Sequence, residues 1–220
     1  LGKMDYLYEQ VDFYDSLKGI MQGNGNVSAL DNIQQQYADI AHHMLHFLEN
    51  HDEQRIASPD FAGDPLKGKP ALVVSALISA SPMLIYFGQE VGEDGSEALG
   101  FGQPTRTSIF DYGGVPAHQR WMNNAVFDGG ALSEDEAALR DYYFRVLNIA
   151  RTHPAASSGE YRSLQRTLLV DGISDDPFVF AFQRHTPSAQ LISVSNFYSK
   201  KTVEVTLTVP DITQLDDSQR

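Results

Sequence analysis

Cysteine is absent from the 220 residues, which excludes disulfides, thiolate chemistry and any cysteine-ligated zinc site. That absence leaves the compartment open. Basic residues are scarce, with 16 Lys and Arg against 29 Asp and Glu and a formal net charge of -13. A nucleic-acid partner usually needs a basic face, so none is expected. No apolar run approaches the roughly 18 residues of a membrane-spanning helix, and a soluble protein with no membrane partner is expected. The opening Leu1-Gly2-Lys3-Met4 is neither an initiator methionine nor a signal peptide, so the chain is expected to continue a longer polypeptide. Tryptophan occurs once, as Trp121. Apolar residues at 42% and charged ones at 20% fit a globular chain, long enough for one large or two small domains.

The pattern along the chain alternates. A short apolar stretch at Asp5–Leu7 reads as a strand and leads to Val11–Ile20 and a Gly/Asn-rich turn, Gly23–Asn26. Ser28, with Asp31 three residues on, reads as a helix N-cap, and Ile33, Tyr37, Ile40, Ala41 and Met44 at helical spacing predict a helix near 29–42. Met44–Leu48 reads as a buried strand that turns polar at Glu49-Asn50-His51-Asp52. Pro70–Ala80 reads as a buried helix and Met83–Phe87 as a third buried strand. Strand, helix, strand, helix, strand is the signature of a parallel sheet or an α/β barrel. Residues 91–130 form a long loop, and Ser133-Glu134-Asp135-Glu136 is a capping box opening a helix to about 151.

After Gly159 the pattern changes to short β-rich segments at Thr167–Val170, Phe178–Gln183, Leu191–Asn196 and Thr202–Val209, with turn residues between them. This predicts an α/β portion over 1–157 and a small antiparallel β domain over 158–220.

Asn50-His51-Asp52 is the sharpest chemical feature. By spacing alone it reads in two ways. Asn and Asp can cap the next segment beside an exposed His, or the three can be functional groups at a strand's C-terminal end. His42, His43, His46 and His51 match no metal-ligand spacing and are read as structural, apart from His51. Trp121, with Arg120 and Tyr112, is either a stacking platform for a ligand or a pin that holds the loop. Glu90 is read as bracing the pocket. Gly92-Glu93-Asp94-Gly95 is unlike an EF-hand loop and is read as solvated.

Phe47-Leu48-Glu49-Asn50-His51-Asp52 resembles the fourth conserved region of the α-amylase family (glycoside hydrolase family 13), on the seventh strand of a (β/α)8 barrel. Pro82-Met83-Leu84-Ile85-Tyr86-Phe87-Gly88-Gln89-Glu90 resembles that family's eighth strand, and Tyr8–Leu17 the segment after the sixth. The resemblance covers nearly the whole chain. It implies the last strands of the barrel, about six to eight, followed by a C-terminal β-sandwich.

By that resemblance Asp52 matches the third catalytic carboxylate, which holds hydroxyls of the sugar at the cleavage subsite. His51 matches the histidine bonded to the same sugar. Asn50 and Trp121 join the substrate-binding residues, and Arg55 orients the loop or an acid. The family's nucleophilic Asp and general-acid Glu are expected upstream of Leu1, so the chain alone is expected to be inactive. No cofactor is expected within the chain, while calcium remains open for the parent protein, as does export to a periplasmic or extracellular space. The expected partner is an α-glucan, and open barrel edges are expected to promote self-association. The competing reading is a non-catalytic carbohydrate-binding or structural module. Residues 160–220 hold no Trp and only Tyr161 and Tyr198, which weakens it. A dehydrogenase is disfavoured because no strand leads into a glycine-rich phosphate turn.

Overall fold

The computed structural model describes residues 4–96, 106–107, 114–169 and 172–209. Tyr112, Val170 and the polar end at 216–220 lie outside the described residues.

Three short strands, β1 (Leu7–Tyr8), β2 (Met44–Phe47) and β3 (Met83–Leu84), pair in parallel in the order β1-β2-β3. Leu7 stands opposite Met44, and His46 opposite Met83. Parallel neighbours need a crossover, and helices supply it. Between β1 and β2 run a π-turn (Gln10–Tyr14), α1 (Asp15–Met21) and α2 (Ser28–Gln36). Between β2 and β3 runs α3 (Lys69–Leu77), which has Pro70 in its first turn. The ladder stops earlier than the apolar run at 83–87 suggests. The side-chain oxygen of Gln89 takes the Tyr86 N–H at 3.0 Å, so the chain leaves the sheet there.

The helix predicted near 29–42 ends at Gln36, and Tyr37 leaves helical geometry at φ -107°. The Tyr37 hydroxyl is held by Asp12 of the π-turn, a tertiary bond that overrides the local pattern. Ser28 is not the cap. Asn26 Oδ1 accepts the Ser28 N–H at 2.9 Å instead. Asp31, read as the capping-box acid, accepts the hydroxyl of Tyr161.

After α4 (Pro116–Met122), α5 (Glu134–Thr152) opens on the predicted capping box. Ser133 Oγ accepts the Glu136 N–H, and Glu136 Oε2 accepts the Ser133 N–H at 2.8 Å. Leu139, Tyr143 and Val146 form its buried face, while Ile149 is 40% exposed.

Beyond α6 (Pro154–Ser158) the chain is antiparallel β. Strands β4 (Glu160–Ser163), β6 (Val179–His185) and β7 (Gln190–Asn196) make one sheet in the order β4-β6-β7. Strands β5 (Gln165–Leu168) and β8 (Val205–Thr208) make a second. Of these, β4 had no expected counterpart, because Glu160-Tyr161-Arg162-Ser163 is neither apolar nor clearly alternating.

The hydrophobic cluster runs without a break from Phe13 and Leu17 through Leu72 and Leu139 to Phe180 and Phe182. Helix α3 is apolar nearly all round because it packs against β2, α5 and β7. Its C-terminal carbonyl, on Leu77, faces Arg184, which also donates twice to the Gly159 carbonyl, at 3.0 and 2.6 Å. Burial pushes the Arg184 guanidinium down to about 10. Val27 N–H donates to the Pro177 carbonyl at 3.0 Å, a further tie between the parallel and antiparallel parts. Among the described residues no helix is long and apolar enough to cross a membrane.

A continuous cluster predicts one cooperative unfolding event. Phe182→Ala is expected to cost about 3–5 kcal/mol. Urea unfolding followed by Trp121 fluorescence and by far-UV circular dichroism should give one coincident transition, shifted in the variant. Separate midpoints for the two signals would contradict the continuous core.

Candidate functional site

The C-terminal end of β2 runs straight into the polar cluster. Phe47 and Leu48 are fully buried, and so is Glu49 beside them. A carboxylate in such a place needs a counter-charge and hydrogen bonds. Arg55, itself 0% exposed, supplies the charge through NH1 at 2.9 Å from Glu49 Oε2. The Ile56 N–H supplies a 2.6 Å bond to Glu49 Oε1. Burial raises the Glu49 carboxyl above its ordinary value, and Arg55 works against that rise.

Arg55 reaches further. Its NH1 also donates to the Phe87 carbonyl at 2.8 Å, and its Nε to Thr107 Oγ1 at 2.9 Å. Its guanidinium lies over the rings of Tyr86 at 4.6 Å and Phe87 at 4.8 Å. One buried cation therefore joins the end of β2, the stretch after β3 and the 106–107 segment. The Tyr86 hydroxyl adds a bond to the Thr107 carbonyl at 3.0 Å. Arg55 is shut off from solvent, and its bonds hold Glu49, Phe87 and Thr107 together.

Between Glu49 and Arg55 the chain bulges outward. Asn50 Oδ1 accepts the N–H groups of Asp52 at 2.7 Å and Glu53 at 3.0 Å, which shapes the turn. That is the capping role open from the spacing alone. Glu53 is tied back to the π-turn and α1, accepting from Gln10 Nε2 at 2.8 Å, Tyr14 Oη at 3.0 Å and Lys18 Nζ at 3.4 Å. Burial, with Glu53 close by, pushes the Tyr14 hydroxyl well above its ordinary range. The residues on either side of the turn are thus fixed, and its tip is presented to solvent. His51 and Asp52 have side chains 50% and 60% exposed, with His51 Nε2 3.2 Å from Asp52 Oδ2.

Arg106 completes the arrangement. Its NH2 donates to Asp52 Oδ1 at 3.0 Å and its Nε to the His51 carbonyl at 3.1 Å. Arg106 thus binds one oxygen of the Asp52 carboxylate, and His51 Nε2 lies beside the other.

Trp121 sits on α4, half-buried, with its ring stacked on His118 at 5.6 Å and near Phe127 at 5.9 Å. The His118 ring meets Phe87 edge-on at 5.2 Å. Burial lowers the His118 imidazole below its ordinary value. Arg140 approaches the Trp121 ring at 5.8 Å, and neighbouring Arg120 pairs with Glu136 of α5. These contacts make Trp121 part of an aromatic row that starts beside Arg55, and they carry the pinning role.

Two acids differ from their sequence reading. Glu93, placed in a solvated loop, is fully buried and caps α4, with Oε2 accepting from Ala117 N at 2.9 Å and His118 N at 3.2 Å. The bracing given to Glu90 falls to buried Gln89, which also donates to Tyr143 Oη at 3.3 Å. Among the described residues no group of three or more His, Asp or Glu is placed to hold a metal ion.

No protein-family model matches the chain, and no curated protein matches it either. Solved structures do. A maltogenic α-amylase from Thermotoga neapolitana superposes with TM-score 0.53 at 16% identity, covering 88% of this chain and 38% of its own. AmyP in complex with maltose gives TM-score 0.56 at 21% identity, with 88% and 40% covered. CldA, a cyclomaltodextrin glucanotransferase, gives 0.50 at 14%, with 84% and 31% covered. At such identities the likeness is one of fold. The chain spans about two fifths of the length of the first two.

The Glu49–Arg55 pair generates a prediction. Arg55→Met strands a buried carboxylate and is expected to cost about 3–5 kcal/mol near neutral pH. Without Arg55 the folded-state carboxyl stands still further above its unfolded value. Stability present below the unfolded pKa is then lost as pH rises through the folded one. Urea unfolding should therefore show a larger deficit at about pH 7 than at about pH 4. A deficit independent of pH would contradict an ionised, Arg55-paired Glu49.

Proposed function

We propose that this chain is part of an α-glucan-active glycoside hydrolase or transglycosidase of the α-amylase type. In this reading 1–157 is the end of the catalytic (β/α)8 barrel, with β1, β2 and β3 as strands six to eight, and 158–220 is a C-terminal β-sandwich. The observation that carries the proposal is the placement of Asp52 and His51. They stand half-exposed just past the C-terminal end of a parallel strand, where a barrel presents its catalytic groups. The sequence motif and the superposed amylase-type folds support the same reading.

The chemistry follows from the geometry. Glycosidic cleavage passes through a sugar with oxocarbenium character. Asp52 accepts hydroxyls of the sugar at the cleavage point and lowers the energy of the positive ring. His51, next to it, bonds the same sugar. Such bonds accelerate the reaction to the extent that they tighten in the transition state. The retaining reaction also needs a nucleophilic carboxylate and a general acid close together, and this reading places both upstream of Leu1. Asn50 shapes the turn that carries Asp52. The outer strand β1 leaves Leu7 and Tyr8 exposed, an edge suited to pairing with a further strand or a second copy.

Turnover of starch, maltodextrin and 4-nitrophenyl α-glucoside tests the reading. The 220-residue chain should be inactive, and a polypeptide extended upstream should be active. Asp52→Asn in the extended form should lower kcat by about a hundredfold or more. Turnover by the chain alone would place the catalytic pair within it and overturn the assignment. So would an Asp52→Asn variant of full activity.

A further inference from the structure

We infer that Arg106 is a positioning residue for Asp52, held in place by the buried Glu49–Arg55 pair through Thr107. The inference rests on the glucan-active reading of Asp52 and adds a residue that the motif does not contain. Asp52 is 60% exposed and lies at the tip of a turn, where a free carboxylate would sample several rotamers. Arg106 removes that freedom. It grips the Asp52 carboxylate with NH2 and the His51 carbonyl with Nε, so the side chain is clamped against its own backbone. The grip has a firm base. The next residue, Thr107, is 1% exposed and is bonded by Arg55 Nε and the Tyr86 hydroxyl. Arg55 is in turn locked on Glu49. A line of bonds therefore runs from a fully buried ion pair to the exposed carboxylate, and each link is a fixed donor on a fixed acceptor.

A clamp of this kind costs something electrostatically, since a cation beside Asp52 weakens its field on a positive sugar ring. The geometry favours positioning over field strength. Arg106 engages only Oδ1 of Asp52 by hydrogen bond, and a catalytic group displaced by about 1 Å can lose about a hundredfold in rate.

The test uses the polypeptide extended upstream, with maltodextrin as substrate, and three variants. Arg106→Met should lower kcat about tenfold to a hundredfold, with KM changing by less than about threefold. Arg106→Lys, which can hold one acceptor of the two, should recover part of the loss. Asp52→Asn is the reference that separates the two ideas. If it abolishes turnover while Arg106→Met leaves kcat unchanged or raises it, Arg106 does not position Asp52. If Asp52→Asn is itself fully active, the glucan reading fails instead. A measurement on the 220-residue chain is independent of activity. Three-bond couplings across χ1 of Asp52 should report one rotamer in the parent sequence and averaging in Arg106→Met. A single unchanged rotamer in the variant would overturn the proposal.

Discussion

A carboxylate and a guanidinium, both shut off from water, meet where β2 ends, and the site is built around them. Glu49 sits in a strand-end position that the flanking Phe47 and Leu48 make apolar. Arg55 is bonded at once to Glu49, to the backbone after β3 and to Thr107. Removing water from two charges is costly, and a buried pair is retained at no net gain unless its geometry is good. Here the Arg55 guanidinium rests on two aromatic rings, and its Nε and NH1 donate to three acceptors, while NH2 has no partner among the described residues. The pair supplies position more than stability: it makes the path from Glu49 to Arg55 start and finish at fixed points.

Everything exposed in the site hangs from that closed path. Asn50 bends it, Glu53 ties it to the π-turn and α1, and Arg106 holds its outermost carboxylate. His51 and Asp52 remain open to solvent while their neighbours are immobilised, which is what a binding or catalytic group requires. The aromatic row from Phe87 through His118 to Trp121 extends the same frame into α4, whose N-terminus is closed by buried Glu93. Positive charge at that helix start is met by a carboxylate that sequence alone leaves in solvent.

The parts legible in the sequence are those governed by local chemistry. The capping box at Ser133 and Glu136 formed as written, because both bonds span only three residues. The apolar run at Met44–Leu48 became β2, and the β-rich segments from 178 onward became β6 and β7. The end of α2 was not legible, since Tyr37 is drawn away by Asp12, 25 residues earlier. Nor was β4, whose polar residues pair by virtue of β6 beside them. In the site, the His51 and Asp52 tip could be read from the motif, but its support could not. Arg106 lies 54 residues from Asp52, in a stretch rich in Gly and Pro that gives no periodic signal. One clue was available: a Glu directly after an apolar run can be buried with a partner, and Arg55 is the nearest Lys or Arg downstream.

The proposed function requires a glucose ring lying against Asp52. A crystal structure of the upstream-extended polypeptide, soaked with a slowly cleaved malto-oligosaccharide, tests that directly. The expected result is one sugar ring with hydroxyls within hydrogen-bond distance of the Asp52 carboxylate and the His51 imidazole, and Arg106 still on Asp52. An oligosaccharide bound on the antiparallel sheets, with the Asn50–Glu53 turn unoccupied, would contradict it and make this chain a carbohydrate-binding module.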